Sequence, residues 1–256
     1  AEEQKWRQEN RGLPKNIKDF YKYFRPKVDE LMARHGFEYA PHLFNPAEYG
    51  RKKMEPDLII YAKPMTNGQQ TIYINYRDVY KDGEYSSLGL GWYLSDETVE
   101  RIYLHELDNI PPIYGQTEKK QLIRGGVVDM EYYLTQMWYH TGPSVSYKTE
   151  TEIEALLAYW DQKLREVAWI DTYDDVETYI DRHMIYQDSP EEASKHGFNT
   201  GILPRRLVIA YLRGQRDLAA LADEWLYKKN YASINKQITI DNLAKTVPYL
   251  EKLCGQ

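Results

Sequence analysis

The chain of 256 residues has a single cysteine, only five phenylalanines and no long apolar run. The one cysteine, Cys254, excludes a disulfide scaffold. Because no stretch of about 18 apolar residues occurs, a membrane-spanning helix is not expected. Disorder is not expected either, since an apolar content of 42% allows a core that offsets the entropy of the chain.

The common motifs of enzymes are also missing. Gly89-Leu90-Gly91 lacks the third glycine of a dinucleotide loop, and no G-x-x-x-x-G-K-[ST] or G-x-S-x-G occurs. His105-Glu106 begins like a zinc-protease helix, but Asn109 stands where the second histidine is needed. No two histidines have the i, i+4 spacing of a helical zinc site; they are His35, His42, His105, His140, His183 and His196. We therefore expect no metal and no cofactor.

Positive charge is in slight deficit. The chain has 33 Lys and Arg against 39 Asp and Glu, a net charge of −6, and both halves are slightly acidic. This argues against nucleic acid as the partner, because binding to phosphates favours a basic surface. The N-terminus lacks the apolar region of a signal peptide, which predicts a cytoplasmic protein. A periplasmic protein stays open if Ala1 follows a signal peptide that has been removed.

Apolar periodicity predicts an α+β fold with three parts. Residues 1–15 are polar and are expected to form a flexible arm. Residues 16–145 are expected to form a helix and an antiparallel meander, with strands near 57–63, 70–80, 85–94 and 129–140. Residues 146–256 are expected to be helical and to pack on or beside the sheet domain.

Local signals predict where several helices begin and end. Asn16 is expected to cap the first helix. Ser95 is expected to cap a short helix in segment 95–124, which is otherwise expected to be irregular. Pro26 and Pro248 are expected to kink or break their helices. A helix is expected at 150–168, because an apolar stripe at helical spacing follows the capping-box match Thr149-x-x-Glu152. Further helices are expected near 173–183, after Ser189-Pro190, at 204–213, at 215–229 and at 233–253.

What is abundant is tyrosine, with 24 residues against five Phe and six Trp. Strand alternation places Tyr73, Asn75, Arg77, Tyr85 and Tyr93 opposite the apolar face, where they form an aromatic and polar outer surface. Tyrosine pairs a large apolar ring with a polar tip and suits such partner-binding surfaces. The alternative is that these tyrosines are there because they favour strands.

A cluster of aspartates offers a second candidate surface. Asp171, Asp174 and Asp175 look like a metal site, but Tyr173 interrupts the ligand alternation of a calcium loop and no glycine follows. Acidic residues at a helix N-terminus explain the same pattern through capping and the helix dipole. As an exposed patch, the three aspartates could also bind a basic partner.

The order of three segments resembles a known group of proteins. The segments are Glu30-Leu31-Met32-Ala33-Arg34-His35-Gly36-Phe37, the glycine-containing strand Leu88-Gly89-Leu90-Gly91-Trp92-Tyr93-Leu94, and Ala168-Trp169-Ile170-Asp171 after a long helix. This order is similar to that of uncharacterised bacterial α+β proteins proposed as immunity proteins of toxin–immunity systems. The resemblance covers roughly residues 16–182. It implies a non-enzymatic protein that binds a toxin, with no catalytic residues to transfer.

Two functions follow from these observations. The first is a protein-binding module, most concretely an acidic immunity protein that inhibits a toxin by direct binding, because acidic inhibitors attract basic partners electrostatically. The alternative is a hydrolase or transferase whose site is dispersed in the sequence and uses His105, His140 and a carboxylate. The missing motifs favour the first.

Overall fold

The structure is a computed structural model that divides into two compact units. Unit 1 comprises Ala1–Lys63, Gln70–Trp92 and Tyr139–Trp169, and unit 2 comprises Pro64–Gln69, Tyr93–Trp138 and Ile170–Gln256. The structure describes residues 11–44, 53–54, 56, 58–75, 78–79, 85–86, 88–104, 136–140, 146–183, 202–228 and 236–255. The predicted domains 16–145 and 146–256 stay a prediction.

Helices and antiparallel strands together confirm the α+β fold. The described helices are α1 (Ile17–Arg34), α2 (Glu97–Leu104), α3 (Glu150–Val167), α4 (Tyr173–His183), α5 (Ile202–Leu212), α6 (Leu218–Asp223) and α7 (Lys236–Cys254). A 3-10 turn spans Pro41–Leu43, and a π-helical turn, Glu224–Lys228, follows α6 directly. The described strands are β1 (Glu38–Tyr39), β2 (Leu58–Met65), β3 (Gly68–Asn75), β4 (Asp78–Val79), β5 (Tyr85–Ser86), β6 (Gly89–Asp96), β7 (Gln136–His140) and β8 (Ser146–Tyr147).

Helix α1 begins and ends where its sequence predicts. The Asn16 side chain accepts a hydrogen bond from the Asp19 backbone N–H at 3.0 Å. After the helix, Gly36 has a φ of 78°, a conformation that favours glycine. Pro26 lies inside the helix without splitting it, so the predicted break is wrong. The helix continues because Phe24 and Val28, on either side of Pro26, are fully buried in the core.

The main sheet has five strands in the order β1-β2-β3-β6-β7. The predicted four-strand meander corresponds to β2, β3, β6 and β7, which are neighbours in that order. The sequence did not indicate β1, which pairs antiparallel with β2 through Glu38↔Ala62 and Tyr39↔Tyr61. The strand predicted at 85–94 is divided into β5 and β6, because β5 pairs with β4 and β8 in a separate three-stranded sheet.

Helix α3 has the capping box that its sequence predicts. The Thr149 hydroxyl accepts from the Glu152 N–H at 3.3 Å, and the Glu152 carboxylate accepts from the Thr149 N–H at 2.9 Å. The last residues of the predicted flexible arm pair with the backbone at the start of α3. Gly12 forms a β-bridge with Thr149, and the Leu13 N–H donates to the Lys148 carbonyl at 2.9 Å. Leu13 is buried, whereas residues 1–10 of the arm lie outside the described residues.

The core of unit 1 forms between α1, α3 and the sheet. Phe20 stacks on Phe24 with ring centroids 5.1 Å apart, and Phe24 meets the edge of Trp160 from α3 at 6.2 Å. Within β3, every residue from Gln70 to Ile74 is buried. The buried Trp92 indole N–H donates to the Gln70 side chain at 3.0 Å, which satisfies both polar groups inside the core.

Unit 2 packs α2, α6 and α7 around α5, whose residues 203–210 are all buried. Its helices correct three predictions. Asp96, not Ser95, caps α2 by accepting from the Thr98 and Val99 N–H groups. Helix α7 continues through Pro248. The helix predicted at 215–229 is shorter, and its last part is the π-helical turn. The helix predicted after Ser189 lies outside the described residues.

A buried ion pair joins two helices of unit 2. The Arg206 guanidinium on α5 donates to the Glu177 carboxylate on α4 at 2.7 and 2.8 Å. The same guanidinium lies 4.2 Å from the centre of the Trp225 ring. Both charged side chains are almost completely buried, so each depends on the other for its stability in the core.

No described helix is both long enough and apolar enough to cross a membrane.

Candidate functional site

A cluster of aromatic and charged side chains in unit 1 forms the candidate site. It begins on α1, where Tyr21, Arg25 and Asp29 are spaced four residues apart and lie on one face of the helix. The Arg25 Nε donates to the Asp29 carboxylate at 2.6 Å, and its Nη1 donates to the Tyr21 hydroxyl at 2.8 Å. The guanidinium is therefore held from both sides along the helix.

Two strands complete this cluster with tyrosine rings. Because Tyr39 of β1 pairs in register with Tyr61 of β2, their rings meet edge to face with centroids 6.2 Å apart. The Tyr61 hydroxyl donates to the same Asp29 oxygen at 2.7 Å. The Arg25 guanidinium lies 3.8 Å from the centre of the Tyr39 ring, a close cation–π contact. We call these five residues the tyrosine–arginine cluster.

The tyrosine–arginine cluster has a buried base and an exposed tip. Tyr61 is 1% exposed, whereas Tyr39 is 38% exposed. Burial, aided by the hydrogen bond to Asp29, raises the pKa of Tyr61 above its ordinary value. Burial acts to lower the pKa of Arg25, but the hydrogen bonds to Asp29 and Tyr39 and the charge interactions with Tyr61 and Asp29 together outweigh it and raise the pKa overall. The cluster therefore keeps one positive guanidinium and a neutral Tyr61 across the physiological pH range.

Binding is the chemistry that this arrangement suits. Tyrosine and arginine are the residue types that carry much of the energy of protein interfaces. The hydrogen bonds hold the Arg25 and Tyr61 side chains in place, so little side-chain entropy would be lost if this surface bound another molecule.

A second polar group of unit 1 surrounds Asp161 on α3. The Asp161 carboxylate lies 2.9 Å from His35 Nε2, 2.5 Å from Arg165 Nη2 and 3.5 Å from Arg34 Nη1. Desolvation acts to raise the pKa of Asp161, but the hydrogen bonds from His35 and Arg165 lower it overall. Because His35 and Arg34 end α1, this carboxylate joins α1 to α3.

The Lys63 ammonium lies at the same ends of α1 and α3. It donates to the carbonyl of His35 at 3.4 Å and to the carbonyl of Ala168. These carbonyls are the C-caps of α1 and α3, where a cation complements the negative ends of both helix dipoles. The Asp161 group and Lys63 together are therefore best explained as structural.

The predicted tyrosine surface on the strands differs from what the structure describes. Tyr73 is only 6% exposed, because both faces of β3 are covered at this position, so it does not belong to an outer surface. Asn75 and Tyr93 are half-buried, and they belong to units 1 and 2 respectively. Arg77 and the side chain of Tyr85 lie outside the described residues. A role of these residues in partner binding stays a prediction.

The predicted aspartate patch lies in unit 2, at the N-terminal end of helix α4. The Asp175 carboxylate accepts from the N–H groups of Asp171 and Thr172, both at 3.0 Å. Asp171 in turn accepts from the Thr66 N–H at 2.9 Å. Asp174 pairs with Arg213 at 3.1 Å on the surface. The Asp175 carboxylate thus helps to cap α4, whereas those of Asp171 and Asp174 bond to Thr66 and Arg213. Binding of a basic partner by this patch stays a prediction.

In the part of the chain that the structure describes, no three His, Cys, Asp or Glu side chains are arranged to hold a metal ion. His140 lies on β7, but its side chain and all of His105 lie outside that part. The hydrolase hypothesis that used these two histidines therefore remains a hypothesis.

Sequence reasoning missed the tyrosine–arginine cluster. A usable signal was present, since Tyr21, Arg25 and Asp29 have the spacing of three side chains on one helical face. The contribution of Tyr39 could not be seen, because β1 is a two-residue strand that exists only through its pairing with β2.

No family model matches the chain, and no curated protein or solved structure is significantly similar to it.

Proposed function

We propose that this chain is a non-enzymatic protein-binding module that neutralises a bacterial toxin by direct binding. The observation that carries the proposal is the exposed Tyr39 ring held against the Arg25 guanidinium at 3.8 Å. The order of sequence segments that resembles immunity proteins supports the same function.

The partner-binding surface in this proposal is centred on Tyr39. Among the described residues, Tyr39 and Trp169 are the large apolar side chains with the greatest exposure, 38% and 41%. Trp169 is tied to its own helix end by a hydrogen bond from its indole N–H to the Glu166 carbonyl at 2.8 Å. Tyr39 projects from a cluster that also offers a cation and hydroxyl groups, so it combines apolar contact with polar specificity.

The partner is proposed to be a basic toxin domain. A net charge of −6 attracts a basic protein over distances of about 10 Å at moderate salt, which raises the association rate. The tyrosine–arginine cluster contributes local contacts rather than this attraction, because its Arg25 and Asp29 charges offset each other.

Co-expression with the product of the adjacent gene tests the proposal. Cells that make both proteins are expected to grow, whereas cells with the adjacent gene alone are expected to arrest. Arg25→Ala should reduce protection, and Arg25→Lys should restore little of it, because lysine keeps the charge but not the planar stack on Tyr39. The proposal would be contradicted if the product of the adjacent gene did not arrest growth. It would also be contradicted if Arg25→Ala protected cells as well as the unchanged chain does.

A hydrolase or transferase is the second candidate. The observation that favours it is the His35–Asp161 pair at 2.9 Å, since a carboxylate that orients an imidazole is common in general-base catalysis. This candidate predicts turnover of chromogenic esters or phosphoesters that His35→Gln abolishes. Turnover that His35→Gln leaves unchanged would exclude this pair as its site. The binding function is favoured because Arg34 and Arg165 also engage Asp161.

A further inference from the structure

An apolar groove in unit 2 lies outside the site already described. It runs between α7 on one side and α6 with the π-helical turn on the other, and its volume is about 280 Å³. Leu226 is buried at this groove, while the exposed Ala219, Ala244 and Pro248 are small residues along its sides. A cavity of about 150 Å³ holds one benzene molecule, so this groove has room for two apolar side chains.

The backbone around the groove departs from regular α-helix on both sides. Residues Glu224–Lys228 form a π-helical turn, a geometry that is rare and often found at functional sites. In α7, Pro248 has no N–H, so the carbonyl of Ala244 lacks its usual α-helical donor. Both Ala244 and Pro248 line the groove.

Among the described residues that line the groove, the charged one is Asp223. Asp223 is exposed at the end of α6. A carboxylate beside an apolar groove favours an occupant that carries a positive charge next to its apolar side chains.

We propose that this groove binds an amphipathic helix of another protein, with a lysine or arginine of that helix paired to Asp223. Two features point to a helix. The groove is bounded by helices, and alanines along it allow a third helix axis to approach to about 8–10 Å. Apolar side chains spaced three and four residues apart then enter the groove, as in other helix-in-groove complexes. This inference concerns unit 2 and does not rest on the proposed function.

The first test uses a fluorescein-labelled helical peptide of about 15 residues, with leucines three and four residues apart and one flanking lysine. Fluorescence anisotropy with the full chain should show saturable binding. Ala219→Trp fills the groove and should weaken binding at least about tenfold. Ala220→Trp, at an exposed position of the same helix but outside the groove, should not. Circular dichroism confirms that both variants fold.

Equal effects of Ala219→Trp and Ala220→Trp, or no binding of the peptide, would overturn the proposal. The charge is tested separately, with a second peptide in which glutamate replaces the lysine. Asp223→Lys should reverse the preference between the two peptides, whereas Asp217→Lys, at the other end of α6, should leave it unchanged. A preference that Asp223→Lys does not alter would contradict the pairing.

Self-association is the other occupant to distinguish. In sedimentation velocity, we expect the full chain to be a monomer, or to form a dimer that Ala219→Trp does not dissociate. A dimer that dissociates with Ala219→Trp but persists with Ala220→Trp would assign the groove to a second copy of this chain and overturn the proposal.

Discussion

At the residue scale, Asp161 illustrates how one carboxylate joins two helices. It accepts hydrogen bonds from His35 at the end of α1 and from Arg165 of its own helix, and it forms an ion pair with Arg34 at 3.5 Å. Because hydrogen bonds to charged groups exceed neutral ones in strength, this residue should contribute measurably to the stability of unit 1.

Asp161→Asn is expected to lower the free energy of unfolding by about 1–2 kcal/mol at pH 7. The pKa of Asp161 is lowered in the folded chain from an ordinary value of 3.8. The contribution is therefore complete above that value and disappears as the pH falls through the lower folded pKa. Urea denaturation at pH 7 and near pH 3 measures this difference.

Asp174→Asn is the matched control for this substitution. Its carboxylate pairs with Arg213, but both side chains are more than half exposed, so water screens the pair. We expect Asp174→Asn to change the free energy of unfolding by less than about 0.5 kcal/mol at both pH values. The role assigned to Asp161 would be contradicted if Asp161→Asn lowered the free energy of unfolding by no more than Asp174→Asn does. It would also be contradicted if the effect of Asp161→Asn were the same near pH 3 as at pH 7.

At the element scale, helix termini could be predicted well from sequence and tertiary effects could not. Asn16 and the Thr149–Glu152 box are local signals, and each begins its helix as predicted. The predicted break at Pro26 is wrong, because the burial of Phe24 and Val28 on either side of it offsets the local cost of the proline. Strand alternation showed which residues share a face, but whether that face is covered depends on the rest of the chain, as Tyr73 shows.

Thr149→Ala tests the capping box of α3. Removing its hydroxyl leaves the Glu152 N–H without its cap, and we expect a loss of about 1 kcal/mol in the free energy of unfolding. Thr178→Ala is the control, because Thr178 lies within α4 and its hydroxyl bonds to the Asp174 carbonyl of the same helix. That change should stay within a few tenths of a kcal/mol. Equal losses in thermal or urea unfolding would argue against the cap.

Pro26→Ala tests the cost of the internal proline in α1. Alanine restores an N–H donor for the Lys22 carbonyl and removes a steric clash, so we expect a gain of about 1–3 kcal/mol in the free energy of unfolding. Pro41→Ala is the control, because Pro41 begins the 3-10 turn, where a proline suits the backbone. A gain from Pro41→Ala, or a loss from Pro26→Ala, would show that this account of the helix is wrong.

At the scale of the whole molecule, the two units carry different candidate sites. Unit 1 holds the tyrosine–arginine cluster proposed to bind a toxin, and unit 2 holds the apolar groove with Asp223. The excess of tyrosine suggested recognition from the sequence. Which tyrosine is exposed could not be predicted, because Tyr39 belongs to a strand defined by its pairing with distant residues.

The central claim is that Tyr39 and Arg25 form the toxin-binding surface. Isothermal titration calorimetry of the chain with the adjacent gene product, using the unchanged chain, Tyr39→Ala and Tyr211→Ala, measures this most directly. Tyr211 is a suitable control, because it also lies beside an arginine, Arg216, but at 5.7 Å and in unit 2. We predict a tight complex that Tyr39→Ala weakens at least about tenfold and Tyr211→Ala leaves unchanged. Equal affinity of Tyr39→Ala and the unchanged chain, or no complex at all, would contradict the claim.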